Sequence, residues 1–252
     1  MTAPKTAPPK AAPPRTAMVL AAGLGTRMRP LTNDRPKALV EVGGKALMDH
    51  MLDRLGAAGV ETAVVNVHYF ADLMEAHLAK RTAAPRIIVS DERAQALETG
   101  GGVKHALPLL PDEAFFVANI DAIWQDDPAA PGPGAVEAVA GTWDADRMDV
   151  CLMLAPTAAS MGFHDTGDVF LEPDGRVRFK APGETAPYVY VGLHICKPAV
   201  VQGGPEGPFS LLPLWKALAE QGRIYGVSPP GLWMHVGDPG ARELAEAKLA
   251  GA

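Results

Sequence analysis

Cysteine is scarce in this chain: Cys151 and Cys196 are the whole supply, far apart and without C-x-x-C spacing. A disulfide framework and a zinc cluster are therefore not expected, and the apolar runs around both residues read as buried thiols. No apolar run reaches the ~18–20 residues of a bilayer span. The N-terminus lacks the apolar core of a signal peptide, so the cytoplasm is the expected compartment, with no membrane partner. Positive charge is also short: the formal net charge is -6. That excludes the basic footprint of a nucleic-acid binder, and a phosphate-bearing substrate must be met by a local positive site. No Ser–His–Asp or Cys–His arrangement stands out. The histidines are scattered, and His68 and His77 read as surface or packing residues.

What is present suits an ordinary α/β protein. The chain has 252 residues, 48% of them hydrophobic and 21% charged, enough for one domain with a sizeable core. Residues 1–15 are Pro, Ala, Lys and Thr with little else and read as a disordered tail. From Ala17 to Ala118 short apolar strands alternate with amphipathic helices, the pattern of a mainly parallel sheet flanked by helices. Strands are expected at 17–21, 62–67, 86–89 and 115–118, and helices at 47–58 and 71–78. Gly100, Gly101 and Gly102 are expected to precede a short helix that ends at Leu107. Residues 126–134 form a Pro/Gly-rich insertion. Beyond them the pattern becomes mixed: a strand at 150–154, a hairpin of 169–171 with 177–179 around Pro173-Asp174-Gly175, and a strand at 188–195. A helix at 211–218, a strand at 224–227 and a terminal helix at 241–249 follow. The expectation is one domain over 16–252, with a nucleotide-binding half (16–125) and a mixed half (126–252) holding a second substrate.

The most informative segment is Leu20-Ala-Ala-Gly-Leu-Gly-Thr-Arg-Met-Arg-Pro30, continuing to Pro36-Lys37. It follows a strand, where open α/β sheets bind ligands. Gly23 and Gly25 allow close approach of the backbone, and consecutive N–H groups in such a turn form an anion nest. Arg27 adds a fixed, always-charged fork and Lys37 a mobile charge. A dinucleotide G-x-G-x-x-G would need glycine where Met28 stands, and no Gly-Lys-Ser/Thr closes a Walker A loop.

The stretch LAAGLGTRMRPLTNDRPKALVEVGGKALMDH resembles the signature of the sugar-1-phosphate nucleotidyltransferases, G-x-G-T-R-x-x-P followed by P-K, and the similarity extends over roughly residues 17–250. Short bacterial uridylyltransferases that act on N-acetylmuramate-1-phosphate in cell-wall recycling look most alike, and short mannose-1-phosphate guanylyltransferases nearly as much. The resemblance implies a Rossmann-like, GT-A-like mixed sheet with a small sugar-binding β extension. It implies Mg²⁺ as cofactor, and as partners a nucleoside triphosphate (UTP favoured) and a sugar-1-phosphate, in a monomer or small homo-oligomer. Leu20, Ala22, Gly23, Gly25, Thr26, Arg27 and Lys37 would then grip the nucleotide, with Arg27, Lys37 and Asp121 as the catalytic set.

Other residues acquire roles from the same resemblance. Asn119-Ile120-Asp121 stands where the family carries N-x-D, commonly with glycine in the middle; Asp121 would hold the metal and Asn119 the sugar phosphate. Trp233-Met234-His235-Val236-Gly237-Asp238 resembles the stretch that supplies a second metal carboxylate, but His235 occupies the acid's position. Three arrangements stay open: His235 binds metal or phosphate, Asp238 swings in, or Asp121 works with water alone; His235 facing the site is favoured over a packed histidine. Leu97-Glu98-Thr99-Gly100-Gly101 resembles the family's base-side segment, so Glu98, Gly100 and Gly101 are expected beside the base. Lys180 (in a weakened E-K-P element), Gly167 beside Asp168, and Gly192 in Tyr190-Val191-Gly192 are expected on the sugar side. A binder that has lost catalysis is the reading from another class.

Overall fold

The computed structural model describes residues 12–130 and 132–251. Residues 1–11 of the expected tail, Pro131 of the Pro/Gly-rich insertion and Ala252 lie outside the described residues. Arg15 is already tied down: its carbonyl accepts from the N–H groups of Glu61 and Thr62 at 2.8 and 3.2 Å.

The first strand, β1 (Thr16–Leu20), shows why the sheet forms. Side chains alternate across a strand, so Ala17 and Val19 enter one core and Met18 the other, all without exposed surface. A small hairpin, β2 (Glu41–Val42) with β3 (Lys45–Ala46), leads to α1 (Leu47–Ala57), which buries Leu47, Met48, Met51, Leu52 and Leu55 along one stripe. Then come β4 (Thr62–Val67), α2 (Ala71–Leu78), β5 (Arg86–Asp91), α3 (Glu98–Ala106) and β6 (Phe115–Asn119). The second half runs β7 (Ala122–Asp126), α4 (Ala135–Thr142), β8 (Val150–Pro156), β9 (Ser160–Met161), β10 (Val169–Leu171), β11 (Val177–Phe179) and β12 (Tyr188–Cys196). It closes with α5 (Ala199–Gln202), α6 (Leu212–Glu220), β13 (Ile224–Val227), β14 (Gly231–His235) and α7 (Pro239–Leu249).

Strands β5, β4, β1 and β6 lie side by side and parallel. The long β12 pairs antiparallel with β6 and with β8, β8 runs parallel to β13, and the β10–β11 hairpin attaches at the start of β12. One mixed sheet with a parallel centre thus spans both halves. Helices α1, α2 and α4 cover one face and α3, α5 and α6 the other. A smaller sheet, β7-β14-β9, packs beside it with Met28, Val42 and Ala245 in a third core.

The structure adds the β2–β3 hairpin, β7, α4, β9 and α5, which the apolar pattern did not announce, and moves several boundaries by a residue or two; the move with a consequence is in α3. Gly100, Gly101 and Gly102 lie inside α3, not before it. Glycine disfavours helices by about 1 kcal/mol each, so the reason is packing. A Cβ on Gly100 would overlap the Phe209 ring, and one on Gly101 the Gly207 carbonyl.

Candidate active site

Parallel pairing brings the ends of three strands to one edge. Leu20 stands level with Asn119, and Val19 with Val65, so the loops after β1 and β6 and residue Asn66 meet there. A cavity of about 600 Å³ opens at this edge. Its wall includes Leu20, Ala22, Gly23, Gly25, Thr26, Arg27 and Lys37 on one side, Glu98 on another, and Asn119 and Asp121 at the floor. The three groups expected to carry the chemistry, Arg27, Lys37 and Asp121, therefore share one cavity.

The loop after β1 is shaped by its glycines. Gly25 has φ +61°, and a Cβ there would lie 3.0 Å from the Lys37 side chain, so glycine satisfies both the left-handed turn and the approach of Lys37. The Thr32 hydroxyl donates to the Gly25 carbonyl at 2.8 Å and fixes the turn. The N–H groups of Ala21 and Ala22 are already taken by the Asn66 side chain, at 2.6 and 3.2 Å. Among the described residues nothing accepts from the N–H groups of Gly23 to Arg27, and Arg27 has no acidic partner. The nest therefore begins at Gly23, and it is open to an anion.

Lys37 reaches the floor, where its Nζ stands 3.1 Å from Asp121 Oδ2. Burial pushes the Asp121 carboxyl up, but Lys37 and then His235 outweigh it, and the net displacement is downward. The carboxylate keeps 25% of its side chain exposed. Mg²⁺ retains waters and takes substrate phosphate oxygens, so one accessible protein carboxylate suits it. Among the described residues no group of three or more acids, histidines or cysteines is placed to hold a metal by itself.

His235 stands beside Asp121 without joining the cavity wall. Strand β14 pairs with β7 so that His235 lies opposite Ala122, and the Val236 N–H donates to the Asp121 carbonyl at 2.8 Å. The ring packs behind Gly237, which does line the cavity; a Cβ on Gly237 would overlap it. Burial lowers the imidazole's pKa, and the Asp121 carboxylate beside it works in the opposite direction. Asp238 is committed elsewhere: it caps α7, accepting from the Ala241 N–H at 2.9 Å.

The base-side expectations divide. Glu98 lines the cavity with φ +59°, a left-handed backbone rare outside glycine. Gly100 and Gly101 do not line it; their bare Cα atoms admit Phe209 and Gly207, and their N–H groups donate to the Phe209 carbonyl at 2.8 and 3.1 Å. Leu97 and Thr99, which flank Glu98 in the base-side motif, are wall residues too, whereas Ser210 and Asn66 are wall residues that the motifs did not single out. Only Asn66 carried a signal, as an amide within a buried apolar strand that must find partners.

A second cavity of about 570 Å³ is lined by Asp168, Phe179, Lys180, Tyr190, Trp215 and Lys216 among others. Lys180 is there, its Nζ 2.7 Å from Thr166 Oγ1. Asp168 accepts from the Tyr190 N–H at 3.1 Å, and burial raises its carboxyl. Gly167 is not a wall residue: it turns at φ +72° against the Ala186 carbonyl. Gly192, at φ +86° in the bulge of β12, makes room for Asn119, with a Cβ to Cβ approach of 3.1 Å. The two cavities come near each other just before and at the start of α6, where Ser210 lines the first and Leu212 the second. His68 and His77 are half-buried packing residues, bonded to the Glu92 carbonyl and to Asp49.

A MobA-like NTP transferase domain matches residues 17–152, more than half of the chain. The chain belongs to this family of nucleotidyltransferases. It is 72% identical to an N-acetylmuramate alpha-1-phosphate uridylyltransferase of Caulobacter vibrioides, over 94% of this chain and 97% of that one. A mannose-1-phosphate guanyltransferase of Neurospora crassa is 30% identical over 88% of this chain and 61% of its own length. A solved UDP-glucose pyrophosphorylase holding UDP-glucose superposes with TM-score 0.76 at 14% identity, covering 94% of this chain and 99% of that one, which fixes the nucleotidyltransferase fold. No helix among the described residues is long and apolar enough to cross a membrane.

Proposed function

We propose that the protein transfers the uridylyl group of UTP to N-acetylmuramate α-1-phosphate, giving UDP-N-acetylmuramate and pyrophosphate for peptidoglycan recycling. The observation that carries the reading is the first cavity: an open anion nest, Arg27, Lys37 and Asp121 all face one space. The 72% identical uridylyltransferase favours UTP over GTP. The second cavity, with Lys180 and Lys216 around aromatic walls, is the sugar-phosphate compartment in this reading.

A phosphate oxygen of the sugar-1-phosphate attacks the α-phosphorus of UTP in line. The new P–O bond forms as the bond to the β-phosphate breaks, and pyrophosphate leaves with that electron pair. The attacking phosphate is already ionised at neutral pH, so no general base is needed. The work is to hold two anions together and cancel their repulsion. The N–H groups of Gly23 to Arg27 and the Arg27 guanidinium take the β- and γ-phosphates. Lys37, held by Asp121, stands at the α-phosphate. Asp121 is the residue that would hold Mg²⁺, which when bound neutralises charge on the reacting phosphates. We place this activity in the cytoplasm, in a monomer or small homo-oligomer.

Pyrophosphate release tests the reading, with UTP, GTP, CTP and dTTP each paired with N-acetylmuramate-1-phosphate and mannose-1-phosphate. UTP with N-acetylmuramate-1-phosphate is expected to turn over best. Faster release from GTP with mannose-1-phosphate would replace it with the guanylyl reaction. Tight nucleotide binding without release in any pairing would mark a non-catalytic binder.

A further inference from the structure

Two polar side chains are sunk beneath the first cavity. Asn66 lies in β4 among Val64, Val65 and Val67 and is 2% exposed; Glu92, just past β5, is 3% exposed. Burying an amide and an acid together is costly unless every polar atom is met. Here the hydrogen bonds form one continuous chain. Ala21 and Ala22 N–H donate to Asn66 Oδ1, Asn66 Nδ2 donates to Glu92 Oε1 at 2.8 Å, and Leu97 N–H donates to Glu92 Oε2 at 3.3 Å. Helix α3 passes over the pair at Gly102, where a Cβ would lie 2.9 Å from Glu92 Oε1 and 3.0 Å from Asn66 Nδ2. One end of the chain is the loop after β1, and the other is Leu97, the residue that leads into α3 just before Glu98 on the opposite wall.

Both ends of this chain are backbone N–H donors. A run of hydrogen bonds that begins and ends on donors must contain one group that accepts on both sides, which is a carboxylate. An Asn–Glu pair meets the condition. An Asp–Gln pair meets it equally, with the middle bond reversed. An Asn–Gln pair sets two N–H donors face to face, and flipping the Asn amide only moves the clash to Ala21. An Asp–Glu pair sets two buried carboxylates against each other.

We propose that Asn66 and Glu92 are positioning residues that lock the loop after β1 to the base-side loop at Leu97, so that one nucleotide can span both. This rests on the reading of the first cavity as the UTP site. Neither residue acts on the reacting atoms; they work through the backbone they hold.

The test compares wild type with Asn66→Asp, Glu92→Gln and the double variant N66D/E92Q. UTP affinity is measured by calorimetry, KM for UTP and for the sugar phosphate by turnover, and the thermal midpoint by circular dichroism. Each single change is expected to weaken UTP binding about tenfold or more, by leaving a buried polar atom unmet. KM for UTP should rise more than KM for the sugar phosphate. The double variant should return to within about threefold of wild type, since the two substitutions share one bond. Singles that fail to fold, beside a double variant that folds and binds UTP, support the proposal as well. A double variant as impaired as either single overturns it, and so do folded singles that lose stability while UTP affinity holds. Wild type failing to bind UTP would remove the reading of the cavity, and the proposal with it; wild type and singles binding alike would remove the proposal alone.

Discussion

The two cavities of this molecule are built by opposite means. The first takes most of its wall from the ends of neighbouring parallel strands and one run of chain from Leu20 to Met28. Its grip is made of backbone N–H groups and a few fixed charges. The second is assembled from the β10–β11 hairpin, the start of β12 and the first turns of α6, and its wall is made of side chains. Phosphates can be held by backbone, so a short contiguous motif suffices for them. A shaped ring needs contours, and contours must be collected from segments far apart in sequence.

The largest expected effect falls on the first cavity. Lys37→Ala and Asp121→Ala each remove half of the 3.1 Å pair at its floor. Each is expected to lower kcat by about a thousandfold, as loss of one preorganised charge at a reacting phosphate does. Circular dichroism should show the fold intact. Near-normal rates in both variants would mean that chemistry does not happen there, and the contrast between a phosphate site and a sugar site would collapse.

The second cavity should answer more mildly and more selectively. Lys180→Ala removes an ammonium that is held by Thr166 and is 26% exposed. KM for the sugar phosphate is expected to rise about tenfold, the worth of one charged hydrogen bond, with KM for UTP nearly unmoved. Equal increases for both substrates would show that the two spaces act as one pocket.

The same contrast explains what could be read from sequence. Apart from the small β2–β3 hairpin and the start of α3, the elements of the first half, the β10–β11 hairpin and β13 sit within a residue or two of where periodicity and turn residues place them, because each is decided by local pattern. Arg27, Lys37 and Asp121 converge because the motif fixes a loop and the parallel sheet fixes its edge. Gly100 and Gly101 looked like space for a base, yet they are space for Phe209 and Gly207, more than a hundred residues along the chain. Gly192 likewise makes room for Asn119. A missing side chain can be seen in the sequence; what fills its place is a tertiary fact. Glu92 was invisible for the complementary reason, since in sequence it is one acid within Asp91-Glu92-Arg93 and only burial sets it apart. His235 was legible as a departure from the motif, but its place behind Gly237 depends on the β7–β14 pairing.

The smallest effect is expected in a third place that belongs to neither cavity. Asp149, before β8, accepts from Arg223 Nε and Nη2 at 3.1 and 2.9 Å and from Lys197 Nζ at 2.8 Å, joining the ends of β8, β12 and β13. The Arg223 hydrogen bonds, aided by Lys197 and opposed by burial, pull its carboxyl from 3.8 down to about 2. A carboxyl depressed on folding stabilises the protein above its unfolded pKa, and that stability is lost as pH falls through the folded value. Asp149→Asn should therefore cost about 1–2 kcal/mol at pH 7, discounted for partial exposure. The difference from wild type should hold down to about pH 5, shrink below that and vanish near pH 2, as followed by urea unfolding at each pH. Because Asp149 touches neither wall, KM for UTP and for the sugar phosphate should both stay unchanged. A rise in the sugar-phosphate KM alone would show that the second cavity, collected from distant segments, depends on the tension of the whole second half, as the first cavity does not.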